Sequence, residues 1–126
     1  TAPLPSGMRG TMRETIFEAK LSVLLFHDAE IDAWVAQCIE FDIAAQGDSR
    51  DNALDALGEK LIFQVVDDAE RGRKPLGQFR PAPQAIREQF VVAPYRARGR
   101  SLSTEDPKVP DVWRRPVVDD VRSLTI

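Results

Sequence analysis

The chain has 126 residues, of which 43% are hydrophobic and 29% are charged, and its formal net charge is −3. This length predicts a single domain, the composition is too apolar for a disordered chain, and no run reaches the roughly 18 apolar residues of a membrane span. One Cys and one His exclude an intrachain disulfide, a multi-Cys zinc or iron–sulfur cluster and a multi-His metal site. Residues 1–10 lack the pattern of a signal peptide, so we expect a cytoplasmic protein with no membrane contact.

Charge and proline are distributed unevenly along the chain. Residues 1–50 carry four basic and eight acidic side chains, whereas residues 71–100 carry eight basic and one acidic side chain. Seven of the nine prolines follow residue 72, and the combined shift predicts a boundary there. We therefore expect an N-terminal arm over 1–16, a core domain over 17–72 and a basic, Pro-rich extension over 73–126 with one short helix.

Three strands are predicted before residue 47. Phe17 to Phe26 alternates apolar and polar residues with a period of two, and a polar loop follows from His27 to Glu30. Ile31 to Phe41 is predicted as the second strand and Ile43 to Gln46 as a short third strand. Short loops between them favour an antiparallel sheet.

A long helix is predicted from about Arg50 to Glu70. Asp48 or Ser49 can accept hydrogen bonds from the free N–H groups of its first turn, and Gly72 ends it. Apolar residues recur along it at three- and four-residue steps, at Ala53, Leu54, Leu57, Leu61, Val65 and Ala69. The order β-β-β-α predicts an α+β fold in which one helix packs on one face of the sheet.

The predicted sheet has apolar residues on both faces, and one helix covers only one of them. Leu24, Phe26 and Val35 lie on the face opposite Leu21 and Val23. Either a second protomer or the chain's own extension must cover that face. An amphipathic helix beginning at Pro83 is a candidate cover, and predicted edge strands over 115–118 and 121–126 can complete this sheet or reach another protomer.

The residues around the third strand resemble a known family. The stretch Trp34 to Ser49, followed by Ala53-Leu54 in a helix, resembles the HicB-like antitoxin domain, and its Gln-Gly-Asp-Ser step is the most specific part. The resemblance covers residues 17–70, although Asp51-Asn52 replaces the family's Glu-Glu before Ala-Leu. It implies a partial RNase H-like β-β-β-α(-β) fold and a non-enzymatic module that masks a small ribonuclease toxin of the HicA type.

Many HicB antitoxins also carry a C-terminal DNA-binding unit, of the helix-turn-helix or ribbon-helix-helix type. Residues 73–126 contain seven prolines and a single predicted short helix, with no second helix after a short turn. The chain therefore resembles the stand-alone HicB-like proteins.

Four polar residues at the predicted strand ends are candidates for contact with the protein partner. They lie beside a sheet edge, and the acidic first half of the chain suits a basic RNA-binding partner. We also expect the protein to form a homo-oligomer. The partner-binding candidates are Gln37, Glu40, Asp42 and Gln46.

Two other functions are compatible with the basic segment. It can bind nucleic acid, with Arg96, Arg98 and Arg100 as candidate contacts, or it can belong to an assembly protein whose arms lock protomers together. The competing interpretation is that its arginines pair with acids of the same core or of a neighbouring protomer. We favour that pairing over nucleic-acid binding, because few aromatic residues are interleaved with the arginines and no recognition helix is predicted.

The sequence predicts no catalytic residue, cofactor or metal. The acidic residues of the first half match no metal-binding spacing, although RNase H enzymes use clustered carboxylates. His27 has no nucleophile beside it in sequence, and Cys38 alternates with Ala36 on the helix-facing side, as a buried thiol does.

Overall fold

Six strands form one mixed sheet in the computed structural model, which describes residues 19–125. Helices pack on it, which confirms the α+β class. The predicted arm over 1–16 lies outside the described residues. The strands are β1 (Lys20–Asp28), β2 (Ala33–Cys38), β3 (Ala44–Gly47), β4 (Tyr95–Ala97), β5 (Arg100–Ser101) and β6 (Val117–Ser123), and the helices are α1 (Arg50–Glu70), α2 (Gln84–Val92) and α3 (Asp111–Arg114).

The first three strands form the predicted antiparallel meander. Val23 of β1 pairs with Cys38 of β2, and Ala36 of β2 pairs with Ala45 of β3. The second strand is shorter than expected, because a turn over 29–32 precedes it and an irregular connection follows Cys38. The alternation along β1 directs Leu21, Val23 and Leu25 toward one face, where all three are buried.

Helix α1 covers that face and spans the predicted residues. Ser49 caps it, since its hydroxyl accepts a hydrogen bond from the Asn52 N–H at 3.0 Å, and Gly72 leaves the helix with a positive φ of 73°. Leu57 and Leu61 are at most 1% exposed in the core shared with the sheet. Burying a leucine side chain of this kind contributes about 1.5–3 kcal/mol, so the apolar stripe holds α1 in place.

The last strand lies inside the sheet, which corrects the expectation of edge strands over 115–118 and 121–126. The strand order is β3-β2-β1-β6-β4, and β5 also pairs with β6. β6 is one continuous strand parallel to β1, with Val121 beside Val23, and a register shift near Ser22 accommodates the extra Asp119. The polar residues of this bulge interrupt the apolar pattern, which made the strand look like two pieces.

The extension over 73–126 also shares the hydrophobic core with residues of the predicted 17–72 domain. Leu76, Val109, Val118 and Val121 are buried in the same cluster as Leu57. The described parts of the core and the extension therefore form one packed unit.

Helix α2, which belongs to the extension, covers the second face of the sheet. The extension was one of the two covers expected from the sequence. The Ala82 N–H donates to the Ile39 carbonyl at 2.9 Å, and α2 then lies against β1, where Leu24 is fully buried. The guanidinium of Arg122 stacks 4.5 Å above the Phe90 ring. Pro83 is the cap of this helix rather than its first residue.

A buried carboxylate fixes the direction in which the chain leaves α1. Asp68 is 0% exposed, and it accepts hydrogen bonds from the Leu76 N–H at 2.8 Å and from the side chains of Gln64 and Arg73 at 3.0 and 3.1 Å. Leu76 is itself buried and has a φ of 59°, a conformation unusual for a residue with a side chain. These bonds hold the turn from which the chain passes toward the second face.

Candidate functional site

Three of the four predicted partner contacts make side-chain hydrogen bonds within the chain. Gln37 is 8% exposed, and its amide donates to the Asp42 carboxylate at 3.0 Å. The Glu40 carboxylate accepts from the Ser22 N–H at 2.7 Å, which ties the connection between β2 and β3 to β1. Gln37 and Glu40 therefore position the connection, whereas Asp42 is exposed on it.

Gln46 is exposed on β3, at one edge of the sheet. Because the Cys38 N–H donates to Ile43, the alternation of an antiparallel pair directs the backbone groups of Ala44 and Gln46 away from β2. The Lys60 ammonium donates to the Ala44 carbonyl at 2.7 Å, so one of these edge groups is satisfied by a side chain. The edge next to Gln46 is accordingly short and partly blocked.

The turn after β3 presses against the first turn of α1. A Cβ atom on Gly47 would lie 2.5 Å from the Ala53 nitrogen and 2.7 Å from the Asn52 carbonyl carbon. The glycine is therefore required for this close approach, and the φ of Gly47 is not positive. The Asp48 carboxylate accepts a hydrogen bond from the Asn52 side chain. We use the name β3 edge for the three exposed residues on β3 and directly beside it, which are Asp42, Gln46 and Asp48.

The three candidate nucleic-acid contacts do not form one surface. Arg96 is 73% exposed and lies 3.4 Å from Asp120 of β6, and Arg98 is exposed nearby. Arg100 turns to the opposite side and binds Asp55 of α1 at 2.9 Å, which raises the pKa of the arginine and keeps it charged. Other arginines of the basic segment also pair within the chain, Arg71 with Asp67 and Arg73 with Asp68. This is the intrachain pairing that the sequence favoured over nucleic-acid binding.

A groove that the sequence analysis did not anticipate runs between α1 and residues 100–103. It encloses about 750 Å³, and Gly58 lies at its floor, where an added Cβ would come within 2.9 Å of the Leu102 side chain. Ile62 and Val66 line it, and Phe63 stands beside them with 70% of its surface exposed. The sequence signal for this groove is a second apolar row next to the buried stripe of α1. Its members, Ile62, Phe63 and Val66, are spaced by one and three residues.

The histidine and cysteine occupy structural positions. The His27 Nε2 atom lies 3.2 Å from the Asp32 carboxylate, and its ring meets Trp34 edge to face at 5.6 Å. Burial raises the pKa of the Cys38 thiol to about 11, so the thiol stays protonated near neutral pH. Within residues 19–125, no cluster of three or more His, Cys, Asp and Glu side chains is arranged to hold a metal ion.

The β3 edge and the groove flank α1 on two sides. Lys60 faces the first and Glu59, its neighbour in sequence, faces the second. None of the helices in the described part of the chain is long and apolar enough to cross a bilayer. Comparison with known proteins finds no matching family model, no matching characterised protein and no matching solved structure.

Proposed function

We propose that the protein is a HicB-like, non-enzymatic binding module that masks a small basic ribonuclease. The observation that carries this proposal is the arrangement of β1, β2, β3, α1 and β6. Three antiparallel strands are followed by a helix, and a later strand returns parallel to β1 on the side away from β2. With α2, β4, β5 and α3 inserted before the last strand, this arrangement is compatible with the β-β-β-α(-β) order of the partial RNase H-like fold that the Gln-Gly-Asp-Ser resemblance implies.

The charge of the exposed surface supports a basic partner. The β3 edge presents two carboxylates, Asp42 and Asp48. On the neighbouring helix Arg100 pairs with Asp51 and Asp55, and Glu59 is exposed at the groove. An acidic surface accelerates encounter with a cationic protein and repels the phosphates of RNA. A partner whose RNA-binding face is basic would be drawn to this side of the molecule and would be blocked by it.

The titratable side chains support binding rather than catalysis. Cys38 is buried as a neutral thiol, and Glu40 serves as a hydrogen-bond acceptor for the backbone of β1. Gln37 and Gly47 keep the β3 edge in place through their contacts with Asp42 and with the first turn of α1. The mechanism we propose is steric masking of the ribonuclease active site.

Homo-oligomerisation stays a prediction. The reason for expecting it was an uncovered second face, and α2 covers that face within one chain. Light scattering of the purified protein measures the state directly, and a mass above that of one chain would support the oligomer.

Ribonuclease inhibition tests the proposal. The reading frames beside its gene are searched for a small basic protein, which is co-expressed with the chain, and RNA cleavage by that protein is measured with and without the chain. We expect stoichiometric inhibition, and Asp42→Asn with Asp48→Asn should weaken the affinity about tenfold by removing charge at the β3 edge. Glu88→Gln, an exposed acid on α2, is the matched control and should leave the affinity unchanged.

Three outcomes would contradict the proposal. They are uninhibited cleavage at excess chain, cleavage of RNA by the chain alone, and salt-dependent binding of random duplex by the chain that is lost in Arg96→Ala with Arg98→Ala. The last outcome would favour the nucleic-acid-binding alternative.

A further inference from the structure

Helix α1 carries a second apolar row that the fold buries only in part. Ile62, Phe63 and Val66 share a side of the helix different from that of Leu57 and Leu61, which are buried against the sheet. Phe63 is 70% exposed, the largest aromatic exposure among the described residues. An exposed phenylalanine beside half-buried aliphatic residues leaves a contiguous apolar surface in contact with water, and such surfaces commonly mark interaction sites.

The opposite wall of the groove is held rigidly. The Leu102 N–H donates to the Pro116 carbonyl at 2.9 Å, and the Thr104 N–H donates to the Arg114 carbonyl at 2.9 Å. Arg100 adds ion pairs to α1, to Asp55 at 2.9 Å and to Asp51 at 3.4 Å. The groove is therefore formed before any ligand arrives, so little ordering is required on binding.

Both ends of the apolar row are acidic. Asp55 and Glu59 precede Ile62 on the same side of the helix, and Glu70 follows Val66 by one turn. At the far end the neighbouring Asp106 carboxylate raises the pKa of Glu70, and the Lys108 backbone N–H, which donates to the Asp106 carboxylate at 2.9 Å, lowers the pKa of Asp106. A cation added beside Glu70 would relieve this repulsion.

The dimensions and charges together select one kind of occupant. Glu59 and Glu70 are eleven residues apart in one helix, a distance of about 16 Å, whereas Asp55 is already paired with Arg100. A helix of about three turns with an aliphatic or aromatic stripe spans this length, and Lys or Arg at its two ends would meet Glu59 and Glu70. Nucleic acid is disfavoured, because its phosphates would meet carboxylates at both ends.

We propose that the groove between α1 and residues 100–103 binds a cationic amphipathic helix of a partner protein. The inference deepens the proposed function, on which it rests, by assigning the partner's anchoring segment to this groove. Phe63 and Leu102 contact the apolar stripe of the helix, and Glu59 and Glu70 pair with its terminal cations.

A synthetic peptide tests this assignment on the full chain without the ribonuclease. The probe is a capped fifteen-residue helix with a leucine stripe and two lysines at each end, and binding is followed by calorimetry and by amide shifts of the isotope-labelled protein. We expect shifts confined to residues 55–70 and 100–106. Phe63→Ser should weaken binding about tenfold, because it removes the largest exposed apolar contact, and Glu59→Gln with Glu70→Gln should weaken it and flatten its salt dependence.

Two controls separate groove binding from general stickiness. Val92→Ser removes an exposed side chain of similar accessibility, 74%, from the other face of the molecule and should change nothing. A peptide in which glutamates replace the lysines should not bind. Equal affinities for the wild type, Phe63→Ser and Val92→Ser, or shifts centred on β4, would overturn the inference.

Two further results have distinct meanings. A dimer that dissociates in Phe63→Ser would show that a second copy of this chain occupies the groove, and it would overturn the inference. The peptide could fail to bind while Phe63→Ser still inhibits the ribonuclease. That pair of results would exclude the groove as the binding site and leave the proposed function standing.

Discussion

The two faces of the sheet are covered in different ways. On one face, Leu57 and Leu61 of the 21-residue α1 meet Val23 and Leu25 of the sheet in a core from which water is excluded. On the other face, the nine-residue α2 has no fully buried residue and is held partly by Arg122 against its C-terminal turn. A continuous apolar stripe fixes the first layer, whereas the shorter cover relies on a few polar contacts.

Truncating a leucine on α1 should produce the largest effect. Leu57→Ala should lower the free energy of unfolding by about 2–5 kcal/mol, because it leaves a cavity in a fully buried site. Ile86→Ala, on the half-buried side of α2, should cost about 1 kcal/mol. Urea denaturation followed by circular dichroism measures both, and equal losses would contradict the difference between the faces.

Substitution of the buried Asp68 carboxylate, which lies between the two covers, should have the second-largest effect on stability. Asp68→Ala leaves the buried Leu76 N–H without its acceptor and should cost about 1–3 kcal/mol in the free energy of unfolding. Asp67→Ala removes a neighbouring acid that makes only surface pairs with Arg71 and Arg73, and it should cost less than about 1 kcal/mol. If thermal or urea denaturation gives the two variants the same stability, Asp68 does not anchor the turn.

Removing the arginine under α2 should loosen only the second face. Arg122→Ala deletes the stacking on Phe90 and the hydrogen bonds to the carbonyls of Phe90 and Val91, a loss of about 1 kcal/mol. Hydrogen exchange should accelerate over residues 84–92 and stay unchanged over 53–65. Arg50→Ala is the control on the other face, where Arg50 stacks 4.1 Å above Trp34, and it should not affect α2.

Faster exchange throughout α1 in Arg122→Ala would contradict this prediction. The two covers would then open as one unit.

The smallest effect concerns the thiol on the α1 side. The pKa of Cys38 is about 11 in the folded protein against an ordinary value of 9.0, so the unfolded chain loses its proton first. The neutral thiol therefore makes its full contribution to the free energy of unfolding below about pH 9, and this contribution is lost as the pH rises toward about 11. The free energy of unfolding should fall more steeply over this range in the wild type than in Cys38→Ala, and parallel curves would show that water reaches the thiol.

The local elements were predictable because their signals lie within short stretches. The helix from Arg50 to Glu70 follows from a three- and four-residue apolar spacing between Ser49 and Gly72, and the first strands follow from alternation. The position of β6 was not predictable, since its pairing with β1 joins residues such as Val23 and Val121 that are far apart in sequence. A bulge at Asp119 also hid its length.

The candidate sites were predictable only in part, for a related reason. Asp42 and Gln46 are exposed as expected, but Gln37 is buried. Its side chain bonds to Asp42 across an irregular connection, and no sequence pattern predicts such a contact. Arg100 lies in the basic segment, yet its partners on α1 become neighbours only after the chain folds back. The groove depends on that same folding back.

The parallel pairing of β6 with β1 also has a consequence for biosynthesis. A ribosome makes β1, β2, β3 and α1 well before it makes Val117–Ser123, so the nascent sheet has an open side at β1 until that strand arrives. Contacts of such long sequence separation slow the final closure. Until β6 pairs with it, that side of β1 is open to pairing with other strands.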